Sequence, residues 1–170
     1  VLKFGMPMGQ FTLIDEVGID VGAKVAKILY HAFGERAKPN EILEKVVQLK
    51  YLGKKNGKGF YQYTKGRSTD VDQYLANTLN FKTAKTGKDW ETIQKRCIYP
   101  MINEAARCLD EEVVRSVGDV DLGMIMGTGF PPFKGGVLRY ADSVGVKEIV
   151  NDLEKFSKRG GKRFEHAPRL

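Results

Sequence analysis

Asp15-Glu16-Val17-Gly18-Ile19-Asp20 returns as Asp142-Ser143-Val144-Gly145-Val146-Lys147, and this recurrence decides how the chain is built. At an offset of 127 residues, Asp15, Val17, Gly18, Gly34, Arg36 and Leu43 fall on Asp142, Val144, Gly145, Gly161, Arg163 and Leu170 without a gap. Ile19 meets Val146 and Leu29 meets Phe156, so apolar character is kept where identity is not. Just upstream, with a small insertion, Gly5-Met6-Pro7 mirrors Gly129-Phe130-Pro131. Self-similarity at one fixed offset, with matching loop signals ahead of it, marks a duplicated supersecondary unit.

Apolar periodicity makes that unit helical. Val21, Val25, Ile28, Leu29 and Ala32 share one helix face, with Phe33-Gly34 as the stop. Glu41 to Leu52 carries Ile42, Val46 and Leu49 on one side and ends at Gly53. Phe60-Tyr61-Gln62-Tyr63 is the one stretch of strand character. Asp70 to Leu79 reads as a helix and Asn80 to Lys88 as a polar linker. A long helix is predicted from Asp89 to about Val114. Trp90, Ile93, Cys97, Met101, Ala105 and Cys108 trace its buried stripe, and Pro100 lies inside it. Ser116 with Asp119 three residues on opens a short helix to Met126, closed by Gly127. A last helix, Lys147 to Lys158, buries Ile149, Val150, Leu153 and Phe156 and stops at Gly160-Gly161. The expected fold is all-α, with a first helical domain over 1–66, a helix and linker over 67–88, and a second helical domain over 89–170.

The composition is that of a globular protein: 42% of the 170 residues are hydrophobic and 29% charged. A chain of this length buries roughly 70% of its unfolded surface, enough for one sizeable core or two small ones. It contains no apolar run long enough for a membrane-spanning helix, and no charged-then-apolar leader opens it. Cys97 and Cys108 share a helix face about 16 Å apart along the axis, too far to bridge. Neither they nor His31 and His166 have metal-ligand spacing. The net charge of +7 is partly local, since Lys50, Lys54, Lys55, Lys58, Lys65 and Arg67 follow one another without an acid. Such a loop attracts anions.

Four stretches carry a resemblance to a known family: Phe4 to Gly9 running into Leu13 to Asp20, Gly53 to Tyr61, Asn103 to Leu109, and Gly127 to Gly136. Together they resemble the C-terminal region of 3-hydroxyacyl-CoA dehydrogenases. The doubling resembles the multifunctional fatty-acid oxidation enzymes, whose alpha subunit carries two such helical domains in tandem. The resemblance implies two copies of that domain, of the 6-phosphogluconate dehydrogenase C-terminal-like kind, the first truncated at its N-terminus. Gln10 departs from the proline that the family pattern has after Gly9. The implied parent is an oxidoreductase that oxidises 3-hydroxyacyl-CoA to 3-ketoacyl-CoA with NAD in fatty-acid β-oxidation.

In that family a Rossmann domain binds NAD and supplies a catalytic His-Glu pair. No G-x-G-x-x-G follows a strand in this chain, so that domain is expected ahead of Val1. The first copy's counterpart of the long helix is expected there too. The reading is a chain trimmed at both ends, without catalytic or cofactor-binding residues of its own and inactive alone. Single-unit members of the family pair their helical domains into dimers, which implies pseudo-twofold packing of the two copies here.

Met6, Pro7, Met8 and Phe11 make an apolar loop suited to lining an acyl slot, methionine being conformationally soft. Ordinary core packing is the plainer alternative. Lys54, Lys55 and Lys58 are candidates to meet the phosphates of CoA or NAD. The alternative is that their loop caps the preceding helix and pins the tail. Asp15 and Asp142 hold equivalent places and are expected at helix ends or turns, since neither has an evident acid-base partner. Asn103 is expected to satisfy a buried helix contact, and no metal is expected. The implied partners are the Rossmann domain, an acyl-CoA and a thiolase subunit. The implied compartment is the bacterial cytoplasm or, alternatively, a mitochondrial or peroxisomal matrix.

Two other classes compete. Lys58-Gly59-Phe60-Tyr61-Gln62-Tyr63 mixes basic and aromatic residues as an RNA-binding strand does, but that module needs a four-stranded sheet. A helical scaffold without enzyme ancestry fits the composition; the four family-like stretches speak against it.

Overall fold

The structure, a computed structural model, describes residues 1–65, 67–80 and 90–170, with backbone alone at 67–69. The linker expected after Asn80 and the expected helix start at Asp89 lie outside the described residues. The chain divides into two compact units, Met8–Lys88 and Val1–Pro7 with Asp89–Leu170.

The first of these contains α1 (Gln10–Val17), α2 (Ile19–Phe33), α3 (Ile42–Gln48) and α4 (Gln73–Thr78), with a hairpin of β1 (Tyr61–Thr64) and β2 (Arg67–Val71) between α3 and α4. Ile19, Val46, Tyr51, Phe60 and Leu75 form its core. The antiparallel register sets Tyr61 against Val71 and Thr64 against Arg67. The second strand corrects the sequence reading, which assigned Asp70 and Val71 to a helix. That helix begins only at Gln73, because the Asp72 carboxylate accepts the Leu75 N–H at 2.8 Å and so caps it there. The predicted Glu41–Leu52 helix is shorter as well. It ends at Gln48, and Lys50 turns the chain at φ 62°.

The second unit contains α5 (Trp90–Asp110), α6 (Val117–Thr128), α7 (Val137–Val144) and α8 (Val146–Gly160), preceded by a 3-10 turn at Leu2–Phe4. Its core gathers Phe4, Ile98, Ile102, Phe130, Ile149 and Leu153 among others. Of the expected α5 stripe Ala105 is buried and Cys97, Met101 and Cys108 are half-buried, but the buried face is centred on Ile98, Tyr99, Ile102, Ala105 and Ala106, and Trp90 is 73% exposed. Two adjacent stripes of α5 are apolar, and packing against α7 and α8 selects between them. α5 also stops short of Val114: the Val113 N–H returns to the Cys108 carbonyl, with Glu112 at φ 55°. Ser116 caps α6 by accepting from the Asp119 N–H, as expected, but the helix runs to Thr128 and Gly129, not Gly127, closes it.

The repeat is written in the backbone. α1 and α7, α2 and α8, and the 3-10 turns Gly34–Ala37 and Gly161–Phe164 are all related by the same offset of 127 residues. Gly18 and Gly145 bend the two helix pairs at nearly equal angles, φ 102° and 99°, ψ 123° and 117°. Gly5 and Gly129 are both left-handed helix caps. Positive φ at these places is why glycine survives where side chains have diverged.

Candidate functional site

The segment from Gly53 to Tyr63 wraps the carboxylate of Asp15, which is fully buried. Its Oδ1 accepts the Phe60 N–H at 3.0 Å; its Oδ2 accepts the Tyr61 N–H at 3.0 Å and the Tyr63 hydroxyl at 2.9 Å. Two glycines permit the approach. A Cβ at Gly53 would lie 2.3 Å from the Asp15 carbonyl oxygen, and one at Gly59 would lie 2.3 Å from Oδ1. Burial and the bond donated to Asp15 push the Tyr63 phenol well above its ordinary range. A carboxylate enclosed by three donors is a fastening point, and hydrogen bonds to a charged group contribute about 1.5–3 kcal/mol each. Nothing in the sequence pairs Asp15 with a tail 45 residues on. The two glycines become a signal only once the approach is known.

Of the basic loop, Lys54 bonds Glu16 at 2.6 Å and Lys55 bonds Asp20, tying the loop to α1 and α2. The bond from Lys55 holds the Asp20 carboxyl below its usual range. The Lys58 backbone closes the loop through the Gly53 N–H, at 2.8 Å from the Lys58 carbonyl. Asn56 buttresses the same turn by donating to the Lys50 carbonyl at 2.8 Å. Two of the three phosphate candidates thus have carboxylate partners within the fold.

The four acyl-slot candidates do not share one described cavity. Phe11 lines an apolar cavity of about 340 Å³ with Ile14, Ile42, Leu43 and Phe60. Its ring lies 4.5 Å from that of Phe60, centroid to centroid. Met8 is exposed. Met6 packs against the core around Phe130, and Pro7 lies against Gly129, where a Cβ would come within 2.8 Å of its ring.

Asn103 makes a buried contact, as expected, whereas the partners it holds and the arrangements around Asp121 and Lys95 escaped the sequence reading. Buried Asn103 donates to the Glu165 carbonyl at 2.8 Å and accepts the Ala167 N–H at 2.7 Å, clamping the segment after α8 onto α5. Asp121 of α6 accepts the Leu138 and Arg139 N–H groups at 2.7 and 3.2 Å, capping α7. Lys95 of α5 meets Glu148 at 2.9 Å, Asp152 at 3.0 Å and Glu91 at 3.1 Å, which holds its ammonium above the ordinary lysine range. As for the RNA-binding alternative, the hairpin has two strands, Phe60 is buried and the Tyr63 hydroxyl is engaged, so these rings form no open stacking platform.

Comparison with known proteins places these features in a family. Residues 1–63 and 93–170 match the family model described as 3-hydroxyacyl-CoA dehydrogenase, C-terminal domain. The chain is 45% identical, over 175 positions, to the fatty acid oxidation complex subunit alpha of Shewanella sp. (strain ANA-3). It is 47% identical, over 173 positions, to that of Idiomarina loihiensis. Both alignments take in 100% of this chain and 24% of the relative, so the chain spans about a quarter of the length of the curated relatives it matches. Among solved structures, the dehydrogenase part of multifunctional enzyme 1 from C. elegans aligns with a TM-score of 0.69 and 27% identity, over 99% of this chain and 39% of that one. 3-Hydroxybutyryl-CoA dehydrogenase from Escherichia coli K12 shares the fold, with a TM-score of 0.71 at 22% identity, over 97% of this chain and 50% of that one.

Proposed function

The chain belongs to the 3-hydroxyacyl-CoA dehydrogenase C-terminal domain family, and from that premise we propose that it is the helical part of an NAD-dependent dehydrogenase of fatty-acid β-oxidation. In the reaction, hydride leaves the 3-hydroxyl-bearing carbon of a 3-hydroxyacyl-CoA for the nicotinamide, the hydroxyl gives up its proton, and 3-ketoacyl-CoA and NADH result. The observation that carries this reading is that both halves of the chain match one family model.

NAD and the acid-base pair belong, in this reading, to a Rossmann domain of the same polypeptide. The residues of this chain act as wall and support. Phe11 and its cavity flank the acyl chain. The Gly53–Tyr63 segment, fastened on Asp15, keeps α1 rigid beneath Phe11. Lys58, whose ammonium has no ion pair among the described residues, is the better remaining candidate for a CoA or NAD phosphate. The relatives are alpha subunits of a complex, which supports a partner subunit; we take it to be a thiolase. Their bacterial hosts support a bacterial cytoplasm, and no helix among the described residues is long and apolar enough to cross a membrane.

The experiment is turnover. The 170-residue chain alone should form no NADH from NAD and a 3-hydroxyacyl-CoA. The polypeptide carrying its dinucleotide-binding domain should form NADH and 3-ketoacyl-CoA together. A folded longer protein that oxidises no 3-hydroxyacyl-CoA of any chain length would overturn the reading.

A further inference from the structure

The chain carries a second basic run besides the loop around Lys54. Lys155, Lys158, Arg159, Lys162 and Arg163 follow one another without an acid. Lys155, Lys158 and Arg159 are spaced to share one face of α8 towards its C-terminal end. The packing of α5 on α8 brings a fourth cation, Arg96, from the other helix. With Thr92 and Phe156 these side chains line a cavity of about 340 Å³, and no acidic residue among the described ones lines it.

The repeat does not need these charges. A basic last turn favours a helix through its dipole, but the twin helix manages with far less. At the 127-residue offset Lys155, Lys158, Arg159 and Lys162 are replaced by Ile28, His31, Ala32 and Glu35. In α2 His31 is the one basic residue of the last turn. Nor does the protein neutralise them itself. Lys155 shares the Asp152 carboxylate with Lys95, at 2.9 and 3.0 Å. Arg96, Lys158 and Arg159 have no ion-pair partner among the described residues. Arg96 is held by rings instead: its guanidinium carbon lies 5.7 Å from the centroid of Phe156 and 5.3 Å from that of buried Phe164. Stacking of this kind fixes the plane of the guanidinium and leaves its N–H fork for an acceptor from outside. Like charges around one hollow repel one another, and an anion seated there relieves the repulsion.

We propose that the α5–α8 cavity binds a diphosphate group, free or carried by a nucleotide. A terminal phosphate has about two negative charges near neutral pH, and the inner phosphate adds one. Together they match the three cations that lack an internal partner. The volume stands at the small end of ligand sites, which span roughly 300–1,000 Å³, so it suits the diphosphate and leaves the rest of a larger molecule outside. Cations gathered from two helices around a hollow fit a compact anion, whereas a membrane or a nucleic acid is met by charges spread along a face. The proposal rests on this cavity and not on the dehydrogenase reading.

Calorimetric titration of pyrophosphate into the 170-residue chain, in moderate salt and without divalent cations, tests it. Saturable binding with a Kd below about 1 mM is expected, and the amide resonances of Thr92, Arg96 and Phe156 should move along the same curve. Inorganic phosphate should bind at least tenfold more weakly. ADP binding more tightly than pyrophosphate would identify a nucleotide as the source of the group, and weaker or equal binding a free diphosphate. Lys158→Ala with Arg159→Ala should weaken pyrophosphate at least tenfold. Arg96→Lys should weaken it about fivefold, because lysine keeps the charge and loses the fork. Lys3→Ala with Lys147→Ala removes as much charge elsewhere and should change the affinity less than twofold. The inference falls if pyrophosphate binding does not saturate, if inorganic phosphate binds equally well, or if the charge-matched control weakens binding as much as the cavity variants do. It falls if Lys58→Ala is the variant that abolishes binding, which would assign the anion to the Gly53–Tyr63 segment. It falls too if phosphatidylglycerol vesicles bind the chain through Lys158 and Arg159 while pyrophosphate neither binds nor competes, which would make a membrane surface the partner.

Discussion

The hydroxyl of Tyr63 lies 2.9 Å from Oδ2 of Asp15, 48 residues earlier in the chain. That bond, with two backbone N–H groups on the same carboxylate, joins the hairpin to α1 and sets the Gly53–Tyr63 segment beside Phe11.

Asp15→Ala should therefore cost about 3 kcal/mol of unfolding free energy, because it strands three donors in the interior. Asp142, its counterpart in the second copy, is exposed, and Asp142→Ala should stay within about 0.5 kcal/mol. Urea denaturation of the two variants side by side checks the contrast. Equal effects would mean that the aspartate serves the repeat itself rather than the hairpin.

Gly59→Ala pushes a methyl group to within 2.3 Å of the Asp15 carboxylate. Overpacking of this kind costs about 1–3 kcal/mol, and the Tyr63–Asp15 bond should loosen with it. Faster amide exchange at Phe60 and Tyr61, at unchanged exchange in α8, would register the change.

Asn103→Ala leaves the Ala167 N–H and the Glu165 carbonyl without the bonds at 2.7 and 2.8 Å. A loss of about 2 kcal/mol is expected, with the residues after α8 becoming the first to yield to protease. A variant as stable and protease-resistant as the parent would show that the clamp contributes nothing.

The Lys95 cluster carries a pH signature. Although burial acts to raise the Asp152 carboxyl, bonds from Lys155 and Lys95 hold it below its ordinary value, so its contribution is present above about pH 4 and fades as pH falls through the folded value. Lys95 is raised, chiefly by its bond to Glu148, so its contribution is present below about pH 10 and fades as pH climbs through the folded value. Lys95→Met should remove about 1–2 kcal/mol near neutrality, discounted for partial exposure. It should also flatten the acid limb of the stability profile. An unchanged acid limb would separate the cluster from the protein's acid sensitivity.

What the sequence carried was periodicity and punctuation. Gly18 with Gly145 and Gly34 with Gly161 mark the bends at one offset because positive φ selects glycine whatever packs nearby. The ends of α2 and α8 follow from the same residues. The second strand was hidden because Arg67 to Val71 has no alternating apolar face, its pairing being set by the partner strand and the Asp72 cap. The buried stripe of α5 was ambiguous because two adjacent stripes are apolar and only the neighbouring helices choose between them. In the candidate site, Phe11 was legible as an apolar residue in a turn-rich segment. The tethering of Lys54 and Lys55 was not, since Glu16 and Asp20 lie more than thirty residues away in sequence.

The central claim is that this helical chain forms part of the acyl wall of a 3-hydroxyacyl-CoA dehydrogenase. Its most direct test is kcat/KM as a function of acyl chain length for Phe11→Ala in the polypeptide that carries the dinucleotide-binding domain. The claim predicts a loss of about tenfold for long acyl chains and little for the shortest, as expected when an apolar contact with the substrate is removed. Equal kcat/KM for parent and variant at every chain length would contradict it.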